Sequence, residues 1–487
     1  MRPSVIVVGA GVGGLAASIE LAKRGASVTV LERAPRVGGK LRAVTLGGQR
    51  LDAGPTVLTF IEIFEALFAG TGRAFHDAVP LRQAEILARH VFHDGSALDL
   101  FADVDRSAAA IATLAGEREA EGYRAFSRFA AQVFETVREP FIMSPRPGAL
   151  ALLRQGPTAL ARLARIAPHQ PLMTALERFF RDPRLLQLFG RYATYVGSSP
   201  YAAPATLAVI AHVERTGVWL AEGGLYTLGE ALAALAVELG VRIRCGAEVL
   251  QVEAPSRRVR GVQLAGGERL EADSVVLNVD AGALAQGLLG DEVRLGEVPP
   301  VRSLSAVTWH AVARCRGLPL SRHNVLFSAD YRREFADLFE ARALPADPTL
   351  YVCAQDRRDA AVAPDGRERL LILANAPAAP VDEPALDALT GRMLERLTRA
   401  GVDVSEAAWS ITTPDDFARR FPGSGGALYG AAQHHWSSFF SRPGARTRVR
   451  GLYLAGGSAH PGPGVPMAAQ SGRLAAAAVA HDLGLAA

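Results

Sequence analysis

Ser4-Val5-Ile6-Val7-Val8 runs without a spacer into Gly9-Ala10-Gly11-Val12-Gly13-Gly14, and the reading of this stretch decides the fold. The β-branched run has the composition of a short strand buried on both faces. The next segment carries Leu15, Ile19 and Ala22 on one helical face and stops at Gly25, as a glycine-capped helix does. Ser27 to Leu31 reads as a second strand, closed by Glu32. Strand, glycine turn, helix, strand and terminal acid, in that order, make a dinucleotide-binding βαβ unit. Gly9 permits the tight turn, Gly11 lets the backbone approach a pyrophosphate, and Gly14 lets helix and strand pack closely. Gly13 belongs to the same loop. The helix N-terminus offers unpaired N–H groups and a partial positive charge to the phosphates. Glu32 is placed to accept hydrogen bonds from ribose hydroxyls.

A chain of 487 residues is too long for one compact core, so two or three lobes are expected. Hydrophobic residues make up 49% and charged residues 21%, which is ordinary for a globular protein with a large core. The three cysteines, Cys245, Cys315 and Cys353, are far apart in sequence. That argues against a Cys-based metal site and for a reducing compartment, so no metal is expected. A net charge of +4 gives no support to a nucleic-acid partner. Lys23 and Lys40 are the only lysines among 53 basic residues. Genome composition accounts for that bias, yet Lys40 falls inside a motif. The N-terminus superficially resembles a signal peptide, but cleavage would remove the first strand and its phosphate loop. No stretch reaches the ~18 apolar residues of a spanning helix. The expectation is a cytoplasmic protein that lies on a membrane if it meets one.

Glu32-Arg33-Ala34-Pro35-Arg36-Val37-Gly38-Gly39-Lys40-Leu41 carries the spacing E-x-x-x-x-x-G-G-K. It resembles the corresponding segment of the flavin amine oxidase and phytoene desaturase superfamily. There the glycine pair carries the backbone past the diphosphate, to which Lys40 can add a point charge. Leu51-Asp52-Ala53-Gly54-Pro55-Thr56 resembles the superfamily's next element, which lies over the flavin. NAD(P) dehydrogenases lack both segments, so FAD is the implied cofactor. Gly451 to Ala455 reads as a strand, followed by Gly456-Gly457-Ser458-Ala459-His460-Pro461-Gly462-Pro463-Gly464-Val465-Pro466-Met467 and a helix from about Ala468 to Leu483. The resemblance implies that this helix points its N-terminus at the flavin, so both ends of the chain build one site. In mid-chain, Gly223-Gly224-Leu225-Tyr226 opens a helix to Leu239, followed by strand-like runs at Val241–Arg244 and Glu248–Leu250. A hairpin turns at Gly266-Gly267, and Ala272 to Asn278 reads as a further strand. By resemblance Val249 meets the adenine end through its backbone. No second dinucleotide fingerprint appears, so no fixed NAD(P)H partner is expected.

The implied fold class is α/β, with a Rossmann-like FAD-binding domain formed discontinuously by 1–85, 222–295 and 425–487. An α+β substrate domain takes 86–221 and 296–424. Its strand-like runs are His90–His93, Ser303–Ala313, Asn324–Ser328, Thr349–Ala354 and Leu370–Ala374, with a hairpin turn at Asp94-Gly95. Between Pro140 and Leu176 there is no acidic residue, while Arg146, Arg154, Arg162 and Arg165 are basic. This helical segment, 140–176, suits a membrane interface. A cap packed on the protein's own core has the same composition.

Arg191 to Pro200, followed by Gly217-Val218-Trp219, resembles the central segment of phytoene desaturase-like carotenoid oxidoreductases. Phytoene desaturases typically end in G-T-H-P-G-A-G-I-P-G. Here Ser458-Ala459-His460 and Val465-Pro466-Met467 are closer to the methoxyneurosporene dehydrogenase branch, also called 1-hydroxycarotenoid 3,4-desaturase. The resemblance implies hydride transfer from an allylic carbon to flavin N5, with a proton lost from the neighbouring carbon. The protein's part is to orient a hydroxylated acyclic carotenoid, of the hydroxyneurosporene type, in a dry and largely apolar tunnel. His460, His434 and His435 are candidate proton acceptors, each with a packing or surface reading beside the catalytic one. Oxygen or a quinone would reoxidise the flavin. FAD is expected to be non-covalent, because the last cysteine is Cys353, far from Gly456. A C40 polyene is about as long as a bilayer's hydrocarbon core is thick, ~30 Å, which favours delivery from a membrane surface. Other readings are a phytoene or neurosporene desaturase, a flavin amine oxidase, or a prenyl-lipid-binding chaperone without redox activity.

Overall fold

The structure is a computed structural model that describes residues 2–145, 166, 168–296, 301–357 and 366–486. At its centre lies a five-stranded parallel sheet. The strand order is Leu452–Leu454, Ser274–Leu277, Ser4–Val8, Ser27–Glu32, Arg242–Cys245. The first strand explains its own composition. Val5 and Val7 enter one hydrophobic core and Ile6 and Val8 enter another, so both faces are covered and no polar position is tolerated. The helix Val12–Lys23 lies on the first of these cores beside the last helix, Val465–Leu483. An antiparallel sheet of Val249–Glu253, Gly261–Leu264 and Arg269–Glu271 is inserted before the fourth strand of the chain to join the parallel sheet.

The second sheet has seven strands in the order Val402–Thr412, Ser305–Gly317, Glu368–Ala376, Leu350–Ala354, His323–Leu326, Ile86–Val91, Ala97–Phe101. Every pairing is antiparallel except that of His323–Leu326 with Ile86–Val91. Residues directly opposite share a face. The register therefore places Thr412, Thr308, Leu373, Tyr351, Val325, His90 and Leu98 in one row across the sheet. The opposite face, with Trp309, Ile372, Val352 and Leu326, is apolar and packs under Leu389, Met393 and Leu397 of the helix Glu383–Arg399. Aromatic side chains on and around the helix Glu117–Val137, including Phe126, Phe180 and Phe189, fill a fourth core.

Some boundaries differ from the sequence reading. The last helix begins at Val465 rather than near Ala468, so Val465, Pro466 and Met467 form its first turn instead of a loop. Proline suits that turn, where its missing N–H has no partner to lose. The strand expected to end at Ala313 continues to Gly317, paired with Val402–Thr412, a strand the sequence did not announce. Most of the basic, acid-free patch, residues 146–165 and 167, lies outside the described residues. At its C-terminal side, Leu172 and Leu176 are buried against the aromatic core. No described helix is long and apolar enough to cross a membrane.

Candidate cofactor and active site

Two helices open toward each other at the carboxyl edge of the parallel sheet. Val12–Lys23 starts after Gly11, with no side-chain cap and no acid in its first turn. Val465–Leu483 starts after Gly464, also without a side-chain cap. The first N–H groups of both helices thus lack intrahelical partners. A Cβ on Gly13 would lie 2.9 Å from the Ala468 carbonyl oxygen and 3.0 Å from Gly456 Cα, so the two opening turns nearly touch. Two partial positive charges therefore meet in one cradle, which fits a diphosphate.

Gly9 adopts φ +98° and donates its N–H to Leu31 O at 2.7 Å, which closes the turn. The Glu32 carboxylate is buried and accepts the Ala10 N–H at 2.7 Å and the Ala34 N–H at 2.8 Å. Those two bonds hold the acid at the mouth of the loop. The Ala247 N–H donates to Glu32 O at 2.8 Å and brings the buried Val249 alongside. Arg33 turns outward to Glu248 at 3.6 Å. The Gly38 N–H donates to Ala10 O at 2.8 Å, and a Cβ on Gly39 would lie 3.1 Å from Gly11 Cα. The glycine pair thus lies against the phosphate loop. Leu41 is buried, and its N–H donates to Gly38 O at 3.1 Å. Gly54 packs on the Lys40 carbonyl, and two residues on, past Pro55, the Thr56 hydroxyl shares a hydrogen bond with Tyr351 at 2.6 Å.

Lys40, the residue expected to add a point charge to a diphosphate, is tied to the protein's own backbone. Its Nζ donates to Leu428 O at 2.5 Å and lies 5.3 Å from the centre of the Phe421 ring. Burial lowers its pKa, partly offset by Asp280. The buried Arg442 donates to the carbonyls of Gly457, Tyr429 and Ala431 and so braces the loop after Gly456. Of the three candidate histidines, two serve backbone groups. His460 donates through Nε2 to Ser144 O at 2.9 Å, and His434 Nε2 accepts the Ser199 N–H at 3.2 Å. Burial pushes His434 down to about 4 and lowers His460. His435 is exposed.

Asn278 and Gln355 escape the sequence reading, and Asp52 enters it only as part of the segment over the flavin, with no role of its own. The Asn278 amide donates to Gly9 O at 3.2 Å, and its side chain lies against Gly11, Gly13 and Gly456. The available signal was topological: Asn278 follows a parallel strand whose neighbour runs into the phosphate loop. Asp52 accepts the Leu225 N–H at 2.5 Å and the Tyr226 N–H at 3.0 Å, opening the helix Tyr226–Glu238 from far along the chain. Burial raises its pKa. Gln355, just after the strand Leu350–Ala354, makes reciprocal bonds to the Asp52 backbone, both at 2.9 Å, and so ties the end of the hairpin Ala43–Asp52 to the seven-stranded sheet.

The seven-stranded sheet presents one wall to these cofactor segments. Arg42 Nη2 donates to Thr412 Oγ1 at 3.0 Å, and Thr56 meets Tyr351 on the same face. Tyr351 in turn shares a hydrogen bond with His323 Nδ1 at 2.7 Å. The same face also carries the polar side chains of Thr308 and His310, beside Leu373 and Val325. Beside it the buried Glu214 accepts the hydroxyls of Tyr192 at 2.7 Å and Tyr195 at 2.6 Å, with Arg191 Nη2 at 3.4 Å.

A family model for flavin-containing amine oxidoreductases matches residues 12–480. The chain belongs to that family. This flavoprotein oxidoreductase takes FAD, and the residues present fit it: a cradle that a Cβ would fill, two open helix N-termini, and a fixed acid beside the turn. The flavoprotein is 48% identical over 483 residues to a protein named hydroxyneurosporene desaturase from Rubrivivax gelatinosus, covering 97% of this chain and 92% of that one. It is 44% identical over 488 residues to a protein of the same name from Cereibacter sphaeroides, covering 99% and 98%. A solved oxidoreductase from Methanosarcina mazei shares the fold, with TM-score 0.61, 17% identity and coverage of 96% and 98%.

Proposed function

We propose that this flavoprotein desaturates an acyclic carotenoid carrying a hydroxyl near one end, of the hydroxyneurosporene type. The observation that carries the reading is the 48% and 44% identity, along nearly the whole chain, to two proteins named hydroxyneurosporene desaturase. FAD supplies the hydride acceptor. One carbon loses its hydrogen as hydride together with the C–H bonding pair, its neighbour loses a proton, and the pair left from that second C–H bond forms the new C=C bond. Gly11, Gly13, Gly14 and the turn Val465-Pro466-Met467 hold the diphosphate and flavin ends, and Glu32 and Val249 hold the adenosine part. The polar wall orients the polyene, and the aromatic core beside it keeps water out. The sheet membership of the strands supports the discontinuous cofactor domain of 1–85, 222–295 and 425–487. The test is co-expression with carotenoid precursors followed by pigment analysis. Hydroxyneurosporene should gain one double bond and absorb at longer wavelength, with phytoene unchanged. Conversion of phytoene to lycopene, with hydroxyneurosporene untouched, would make it a phytoene desaturase instead.

The same reading has three further parts. FAD is held non-covalently, so acid precipitation should release all the yellow colour. Substrate reaches the enzyme from a membrane surface through the arginine-rich segment, so liposome flotation should fall when Arg154, Arg162 and Arg165 are changed together to Glu. Oxygen or a quinone takes the electrons, and stopped-flow reoxidation with each separates the two.

A further inference from the structure

If the new double bond forms beside the hydroxylated end, the hydroxyl sits only a few bonds from the reacting carbon, within about 5 Å at ordinary C–C lengths. Hydride transfer needs that carbon in near contact with its acceptor. The hydroxyl must therefore be met on the wall that faces the cofactor segments. A hydroxyl buried there without a partner would be strongly disfavoured.

His323 stands on that wall, on the same face as Tyr351. His323 is 2% exposed, and its Nε2 has no hydrogen-bond partner among the described residues. Its other nitrogen, Nδ1, is fixed by the Tyr351 hydroxyl at 2.7 Å, and Tyr351 is fixed by Thr56 at 2.6 Å. Thr56 follows two residues after Gly54, which packs on the Lys40 carbonyl, and Gly39, beside Lys40, lies against Gly11 of the phosphate loop. We propose that His323 Nε2 binds the terminal hydroxyl of the substrate, and that Tyr351 and Thr56 act as positioning residues that aim it. The proposal rests on the hydroxycarotenoid reading above and names the residues that would enforce it.

The chemistry closes in either proton arrangement. Tyr351 has one hydroxyl proton to give, to Thr56 or to His323. In the first case Nδ1 keeps its proton and Nε2 is an acceptor; in the second Nε2 is the donor. A tertiary alcohol can answer both. Burial, with Arg322 and Arg191 adding to it, pushes the imidazole down to about 3. It is thus neutral at ordinary pH and sets no fixed ionic charge beside a polyene that becomes electron-poor as hydride leaves.

The experiment compares kcat/KM for hydroxyneurosporene with that for the same polyene lacking the hydroxyl, in parent enzyme, His323→Leu, His323→Gln and Tyr351→Phe. Flavin content and melting temperature are followed in each. The ratio should fall roughly tenfold to a hundredfold in His323→Leu. It should fall less in Tyr351→Phe, and recover in part in His323→Gln, which restores a polar group. Should His323→Leu fail to fold, the other two variants decide the matter by the same ratio. An unchanged ratio in folded variants overturns the proposal, including the case where both substrates lose equally. A parent enzyme with no preference for the hydroxylated polyene instead overturns the reading beneath it.

Discussion

The same substitution, Gly→Ala, should have opposite signs in two helices of this protein. Gly391 lies exposed in the helix Glu383–Arg399, and a Cβ there would find nothing within 4 Å. Gly391→Ala therefore gains helix propensity alone, about 0.8–1.0 kcal/mol. Gly13 is also helical, but its Cβ would lie 2.8 Å from Asn278 Oδ1, 2.9 Å from Ala468 O and 3.0 Å from Gly456 Cα. Relief requires movements of about half an ångström in two backbone segments, and overpacking of this kind costs about 1–3 kcal/mol. The propensity gain in a first turn is at most the same ~1 kcal/mol, so sterics win by about 0–2 kcal/mol. Separating the two helix openings should also weaken FAD by roughly one charge-assisted hydrogen bond, about 1.5–3 kcal/mol, or tenfold to a hundredfold. Urea unfolding of the apoproteins and FAD titration by fluorescence quenching measure the two effects. If Gly13→Ala stabilises as Gly391→Ala does and binds FAD like the parent, the converging-helix cradle is wrong.

Glu32→Ala removes the acceptor for the buried Ala10 N–H, so the apoprotein itself should lose about 1–3 kcal/mol before any FAD is added. A drop in FAD affinity with unchanged apoprotein stability would mean that the carboxylate is not tied to the loop. Asp52→Ala strands two N–H groups at the start of a helix and should cost about 2–4 kcal/mol, read by denaturant midpoint; a loss under ~0.5 kcal/mol would remove this long-range cap. Burial pushes His310 down to about 4 and His323 to about 3, from 6.5. Below about pH 6.5 the unfolded chain takes up protons that the folded chain refuses. Stability is thus full above that pH and is lost as pH falls toward 4, by up to ~1.4 kcal/mol per pH unit for each histidine. A melting temperature that stays flat from pH 7 down to 5 would contradict these neutral imidazoles.

The cofactor half of this molecule was legible because its signals are local. Ser4–Val8, the glycine loop and Glu32 are neighbours in sequence, and their order alone dictates the parallel sheet edge on which the site stands. The last helix was misplaced by three residues because Pro466 reads as a breaker until its N–H is seen to need no partner. Asn278, Gln355 and the capping role of Asp52 were invisible for another reason. Each acts on backbone groups far away in the chain, so no spacing rule reports it. The substrate wall was harder still. Its row from Thr412 to Leu98 exists only once a parallel pairing of His323–Leu326 with Ile86–Val91 joins distant strands. His323 stands just outside the run Asn324–Ser328 that reads as strand, and its free nitrogen is defined by what Tyr351 and Thr56 do to the other one.

The near-contact of Gly13 with Ala468 also has a consequence in time. A ribosome adds about 5–20 residues per second, so the second helix opening emerges roughly 20 to 90 seconds after the first. Throughout that interval the nascent chain holds half a cradle and has no second dipole to close it. Contacts of such sequence separation form slowly even after release. FAD capture therefore waits until the helix Val465–Leu483 has been made. A chain that stalls short of that helix should stay colourless, so yellow colour reports synthesis through Leu483 as well as correct folding.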